Sequence, residues 1–206
     1  MMTAVIGQSI GVLSAMRQQQ AIAIGGNRHA WFIQMNSEQL ETLKGDGRLS
    51  FVGSSVVLGS ARLDNTLILG LSEFQEDVSA VYPSLSAVKE GRLPEAPMEI
   101  ALPEDVLGYL GVPGRLGDPL TLSLTKALRH GIVTQSYDFT AEFTLVGVTE
   151  SNYMSYAAGS INGLVGPGTA EALLPEEYLY YNVDVRVKDK GAFQATMNDL
   201  VETLNV

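Results

Sequence analysis

Tyr181-Asn182-Val183-Asp184-Val185-Arg186-Val187-Lys188 alternates apolar and polar residues over its whole length. A period of two puts Tyr181, Val183, Val185 and Val187 on one face of an extended chain and the polar residues on the other. The stretch predicts a strand with one buried face. A helix is expected next, because Phe193, Met197, Leu200, Val201 and Leu204 recur at helical spacing. Upstream, residues 161–165 read as a strand, and Gly166-Pro167-Gly168-Thr169 leads into a short helix that Pro175 ends. Strand, helix and strand therefore follow one another in the last third of the chain.

The same order recurs near the start. Gly25-Gly26-Asn27 is a turn, and His29-Ala30-Trp31-Phe32-Ile33-Gln34-Met35 is an aromatic-rich strand. Ser37 is expected to cap a helix over 38–44, which Gly45-Asp46-Gly47 breaks. Residues 49–59 and 62–71 read as the two arms of a hairpin around Gly59-Ser60-Ala61. Ser72 is expected to cap a helix over 73–82, with Phe74, Val78 and Val81 as its apolar stripe and Pro83 as its stop. Glu73, Glu76 and Asp77 would then complement the helix dipole.

The middle has a different texture. Residues 91–97 form a Pro/Gly loop, and 98–102 a short strand. A helix has Pro103 at its first position, Glu104 and Asp105 in its first turn and Gly111 just past its end. Leu116-Gly117-Asp118-Pro119 turns into a strand over 120–124, and 141–149 is another. The reading is an α+β fold: a split ferredoxin-like α/β subdomain built from 25–88 and 155–206, with an inserted small β-rich subdomain, 89–154.

The chain has 206 residues, enough for one large domain or two small ones. Its 13 basic and 23 acidic residues give a net charge of −10, which argues against nucleic acid as a partner. There is no Cys, which excludes disulfide scaffolds, thiolate zinc sites and cysteine nucleophiles. His29 and His130 are far apart, and each reads as a structural residue rather than a metal ligand. No phosphate-binding loop, dinucleotide fingerprint or nucleophile elbow occurs. Gly166-Pro167-Gly168-Thr169 is read as a helix entry in preference to an anion cradle. No catalytic residue, cofactor or metal is therefore expected, and the chain is not read as an enzyme. Tyr153, Met154 and Tyr156 fall in a stretch without period and are candidate partner contacts. The alternative is that these aromatics pack over the seam between the subdomains.

The first 16 residues carry no charge, which is short of the roughly 20 apolar residues that span a bilayer. Gly7 and Gly11 have the spacing that lets helices approach closely, and Ile6, Ile10 and Leu13 supply apolar surface. Three readings stay open. A signal peptide lacks its basic leading region here, although Ala21-Ile22-Ala23 looks like a cleavage site. The others are an ordinary buried helix and the end of a membrane helix.

Lys89-Glu90-Gly91-Arg92-Leu93-Pro94-Glu95-Ala96-Pro97-Met98-Glu99-Ile100-Ala101-Leu102 resembles the G-R-x-P-x-x-x-x-E-I segment of FtsX-like ABC transporter permeases. In that family the segment opens the inserted part of the extracytoplasmic domain, the MacB-type periplasmic core. Leu116-Gly117-Asp118-Pro119-Leu120-Thr121-Leu122 is similar to the family's G-D turn and strand, and Phe143-Thr144-Leu145-Val146-Gly147-Val148 to its F-x-V-V-G-I strand. Gly26-Asn27-Arg28-His29-Ala30 looks like the start of the first strand in members from Gram-positive bacteria. Element order is followed over most of 25–206.

The resemblance implies a non-catalytic extracytoplasmic domain of a permease in the cell membrane. Such a domain contacts a substrate or partner and couples ATP-driven motion of membrane helices to the outside. Residues 1–24 would be a membrane-proximal helix, the end of the first transmembrane helix, with Ile6, Gly7, Ile10, Gly11 and Leu13 on it. Three further membrane helices would follow Val206. The partners implied are an ATP-binding cassette ATPase, a second permease copy and an exported substrate or extracytoplasmic protein. A secreted or surface binding module outside any transporter is the alternative.

Overall fold

A computed structural model of the chain describes residues 28–76, 82, 85–130, 132–151, 156, 157 and 159–206. The first strand, β1 (Ala30–Met35), is followed by α1 (Ser37–Gly45), β2 (Leu49–Arg62) and β3 (Ile68–Phe74). The middle holds β4 (Val88–Gly91), β5 (Glu99–Pro103), α2 (Glu104–Leu110), β6 (Pro119–His130) and β7 (Val133–Thr149). The last third holds β8 (Ser160–Val165), α3 (Thr169–Leu173), one 3-10 turn (Glu176–Tyr178), β9 (Tyr181–Val187) and α4 (Phe193–Leu204). The fold is α+β with a mixed sheet. Nine strands form one sheet in the order β1-β9-β2-β3-β8-β5-β7-β4, and β6 pairs with β7 and β2.

The alternating stretch is β9, and it sits between β1 and β2, antiparallel to both. Val183 and Val185 are completely buried. Since β1 and β2 both oppose β9, they run parallel to each other, and β1-α1-β2 is a βαβ unit split by an intervening strand. Leu40 and Leu43 of α1 and Met197, Leu200 and Leu204 of α4 join the same core as the β9 valines. Each such side chain contributes about 1.5–3 kcal/mol on burial. The Gln39 side-chain amide donates to Leu204 O at 2.8 Å and ties the two helices together.

Several local expectations are corrected. The cap of α1 is Asn36, not Ser37: its side chain accepts from Gln39 N and the Gln39 side chain accepts from Asn36 N, a reciprocal capping box. The β2–β3 hairpin does not turn at Gly59-Ser60-Ala61. It turns at Asp64, whose Oδ1 accepts from Thr66 N and Leu67 N, each at 2.7 Å. Gly59 instead lets a neighbour approach, because a Cβ there would lie 3.2 Å from Thr125 O. Ser60 consequently pairs with Thr125 where β6 meets β2.

The helix expected from residue 73 does not start there, since β3 continues through Phe74. Residues 77–81 of that expected helix, and Pro83 as its stop, lie outside the described residues. Both long hairpin strands also exceed their predicted lengths: β6 and β7 pair from Pro119↔Thr144 out to His130↔Val133. The hairpin's end displays Ile132, 99% exposed, and Val133. Between the hairpin and the 3-10 turn, the Tyr137 ring packs against Phe139 and Tyr178, with ring centres 5.5 and 5.4 Å away.

Candidate functional site

The three segments that carry the family resemblance meet at one junction. Gly91 has φ +77°, and a Cβ there would fall 2.3 Å from Val146 O. The next residue donates its N–H to that same carbonyl, Arg92 N to Val146 O, at 3.0 Å. The Arg92 guanidinium then grips Glu99 with two bonds, at 2.7 and 2.5 Å. Glu99 Oε2 also accepts from Glu95 N and Ala96 N, so one carboxylate closes the whole loop. Gly117 N donates to Leu145 O, Leu145 N to Asp118 O and Thr144 N to Met98 O. Ile100 is fully buried. These bonds are internal to the chain, and the junction is scaffold.

The Arg92 guanidinium, helped by the two amides, holds the Glu99 carboxyl down at about 2. The folded carboxyl therefore titrates below its ordinary value of 4.5, and its stabilisation is complete above that value and lost as pH falls toward 2. Solvent around the half-exposed Arg92 screens the pair and keeps its contribution small. Glu99→Gln is expected to flatten the stability profile between pH 5 and 3, read from urea midpoints; an unchanged slope would show that the pair contributes nothing.

A second place is concave. A cavity of about 300 Å³ opens between β1, β9, β2 and the facing part of β6. Trp31 and Ile33, each about half exposed, stand beside it, and Lys126 lines it. Lys126 is 4% exposed, its Nζ donates to Val57 O, and burial pulls its pKa down to about 8. Gln34, also in the lining, has φ +57° at the irregularity in β1 between Phe32 and Met35. Its N–H points to Asn182 Oδ1 at 3.4 Å.

Next to this cavity, Trp31 carries the Arg28 guanidinium 4.6 Å above its ring. Arg28 also pairs with the buried Asp184 at 2.8 Å, and Tyr82 OH donates to the other Asp184 oxygen at 2.9 Å. Burial first, and then the Asp184 charge, push the Tyr82 hydroxyl well above its ordinary range. The network joins the loop before β1 to β9 and to the segment after β3.

Of the sequence-predicted contact residues, Tyr156 is described and Tyr153 and Met154 lie outside the described residues. Tyr156 is half-buried against the core, and burial together with the nearby Asp105 pushes its hydroxyl up to about 12. Ile6, Gly7, Ile10, Gly11 and Leu13 also lie outside the described residues. His29 is a structural residue: its Nδ1 accepts from Val187 N at 3.0 Å, and burial lowers its pKa. The Gly-Pro-Gly-Thr entry to α3 is filled from within the chain, since Glu73 accepts from Gly168 N and Ala170 N. Among the described residues no cluster of His, Asp and Glu is placed to hold a metal ion. No helix among them is long and apolar enough to cross a membrane.

Sequence reasoning missed the cavity, although a signal was present. Leu120, Leu122, Leu124 and Leu128 alternate into the core along β6, and Lys126 occupies the leucine position between the last two. A lysine at an apolar position of a strand marks a buried cation.

No family model matches the sequence, and a comparison with curated proteins finds no match. Among solved structures, the chain is similar to the extracellular domain of the noncanonic ABC-type transporter YknZ from Gram-positive bacteria. The TM-score is 0.54 at 14% identity, over 85% of this chain and 91% of that one. Two weaker likenesses are the periplasmic region of MacB from Actinobacillus actinomycetemcomitans and a domain of a Porphyromonas gingivalis permease protein. Their TM-scores are 0.49 and 0.46, at 16% and 11% identity, over 84% and 83% of this chain and 74% and 70% of theirs. The chain thus shares the fold of the YknZ extracellular domain.

Proposed function

We propose that the chain is a non-catalytic extracytoplasmic domain of an ABC transporter permease. Its role is to contact a substrate or partner outside the membrane and to couple ATP-driven movement of membrane helices to that contact. The observation that carries this reading is the YknZ likeness, which takes in nearly the whole of that extracellular domain and most of this chain. The internal bonding of the motif junction supports it, because Arg92, Glu99 and Gly147 serve architecture there.

Under this reading residues 1–24 lead out of the membrane, and Tyr153, Met154 and Tyr156 are candidate partner contacts. The split βαβ unit of β1, α1 and β2 around β9 supports a ferredoxin-like subdomain over 25–88 and 155–206, with 89–154 inserted. The two parts share one sheet, since β8 pairs with β3 on one side and β5 on the other. Movement at one end of the domain would therefore be carried to the other through continuous strands. The partners are an ATP-binding cassette ATPase and a second permease copy.

The test uses the lack of Cys in the chain. The variant Thr134→Cys, at an exposed position of β7, is made in the full-length gene product and expressed in its own host, with the unsubstituted protein as the labelling control. The protein is expected in the membrane pellet, with an ATP-binding cassette ATPase co-purifying, and the introduced thiol is expected to react with an impermeant maleimide on intact cells. Reaction only after lysis would overturn the extracytoplasmic placement. Recovery from the medium without a membrane-bound form would favour the secreted binding module.

A further inference from the structure

Three charged side chains are buried among the described residues: Glu73, Asp184 and Lys126. Two of them are satisfied inside the chain. Glu73 accepts from two backbone amides, and Asp184 is held by Arg28 and Tyr82. Lys126 is different. Its Nζ donates to Val57 O, and among the described residues no carboxylate pairs with it. An ammonium has three donors, so a single carbonyl leaves it underused. A buried charge without an opposite charge is costly to a fold.

The surroundings of Lys126 are equally uneven. In a chain with 23 acidic and 13 basic residues, the cavity is lined by this one cation and by no carboxylate. Its neutral polar lining groups are Ser60, Thr125, Tyr180 and Asn182, besides Gln34. The apolar side is formed by Trp31, Ile33, Val57 and Leu128. A cavity of about 300 Å³ with an apolar wall and a few convergent polar groups has the character of a small-ligand site.

We propose that this cavity binds an organic carboxylate, its charged end on Lys126 and its apolar part against Trp31 and Ile33. The lining holds one ammonium and no guanidinium, which matches a single negative charge. A phosphate, with more charge and three acceptor oxygens, would call for a bidentate guanidinium or a cradle of amides. The half-exposed Trp31 and Ile33 give the apolar group of the ligand a surface at the side of the cavity. A fatty acid and the C-terminus of a peptide both present this chemistry. The inference stands independently of any role in a transporter.

The test follows the lysine Cε resonances of the full 206-residue chain, which contains Lys44, Lys89, Lys126, Lys188 and Lys190. The Lys126 signal is assigned by its loss in Lys126→Met, or in Lys126→Arg if the first variant does not fold. The probes are octanoate and N-acetylphenylalanine, with octanol and N-acetylphenylalaninamide as uncharged controls. The Lys126 signal is expected to shift saturably with at least one carboxylate, reaching half-saturation at about 1 mM. Its titration midpoint is expected to rise by one pH unit or more in the complex; Tyr180 is the other titratable side chain in the lining. The exposed Lys89 and Lys188 should not move. A stronger response to octanoate points to a lipid source, and a stronger response to N-acetylphenylalanine to a peptide C-terminus. The proposal is overturned if neither carboxylate moves the Lys126 signal, or if octanol or the amide moves it as far.

Discussion

Gly147→Ala lowers the stability of the domain by about 4 kcal/mol or more, an effect as large as emptying a core position. A Cβ at Gly147 would lie 2.1 Å from Arg92 O and 3.3 Å from the Ala101 side chain. The first of these is backbone, and it cannot rotate away. Arg92 is fixed on one side by its N–H to Val146 O and on the other by the bidentate grip on Glu99. Ala101 pairs directly with Gly147 between β5 and β7. Relieving the clash therefore means moving the 92–99 loop off β7 or opening the parallel pair. For a domain of this size the loss corresponds to roughly 10 °C in melting temperature. Gly45→Ala is the matched control, because a Cβ there meets nothing within 4 Å. At the last residue of α1 it should be neutral or stabilise by up to about 1 kcal/mol. Equal melting temperatures for the two variants would show that the 92–99 loop yields freely and that the junction is not rigid.

The same junction shows what the sequence could and could not reveal. Elements with a strong local signal were legible: the alternation of β9, the apolar stripe of α4, and the helix α2 between Pro103 and Gly111. Gly111 has φ +66°, the left-handed cap expected of it. Elements set by distant partners were not. Gly59 has the composition of a turn, yet its missing side chain makes room for β6, a strand more than 60 positions away, while Asp64 makes the real turn. The outer part of β7, residues 133–136, is exposed and shows no alternating burial. It is a strand because it pairs with β6, and pairing leaves no mark in hydropathy. The Gly-Arg-x-Pro pattern was legible as a resemblance, whereas its physical meaning needed Val146 O and Glu99 in place. Lys126 could have been read as an anomaly in the leucine alternation of β6. That it lines a cavity depends on β1, β9 and β2, which come to it from both ends of the chain.

Glu73 makes the same point with a measurable consequence. Its cluster with Glu76 and Asp77 reads as acidic residues beginning a helix of their own. In the fold Glu73 is a strand residue, 3% exposed, and the helix start it serves is α3, 95 to 97 positions later. The reason lies at α3 itself. Its N-cap is Gly168, with φ +82° and no side chain to accept the first amides. Those amides need an acceptor from elsewhere, and the Glu73 carboxylate supplies both oxygens, at 3.0 Å to Gly168 N and 2.6 Å to Ala170 N. Thr169, between them, is engaged separately: its hydroxyl donates to Gly166 O and accepts from Met98 N. Glu73 thus pins α3 to β3, and Thr169 pins it to the loop before β5. Glu73→Ala leaves one buried and one half-buried amide without their partner and should cost about 4 kcal/mol, each charge-assisted bond being worth about 1.5–3 kcal/mol. Glu73→Gln keeps one accepting oxygen but turns an amide nitrogen toward the second N–H, and should lose about half as much. Urea unfolding gives the totals, and amide exchange locates them, because Gly168 and Ala170 should lose protection first while the β9 amides keep theirs. A loss below about 1 kcal/mol for Glu73→Ala would mean that water caps α3 as well as the carboxylate does, and that this buried charge is not what holds β3 and α3 together.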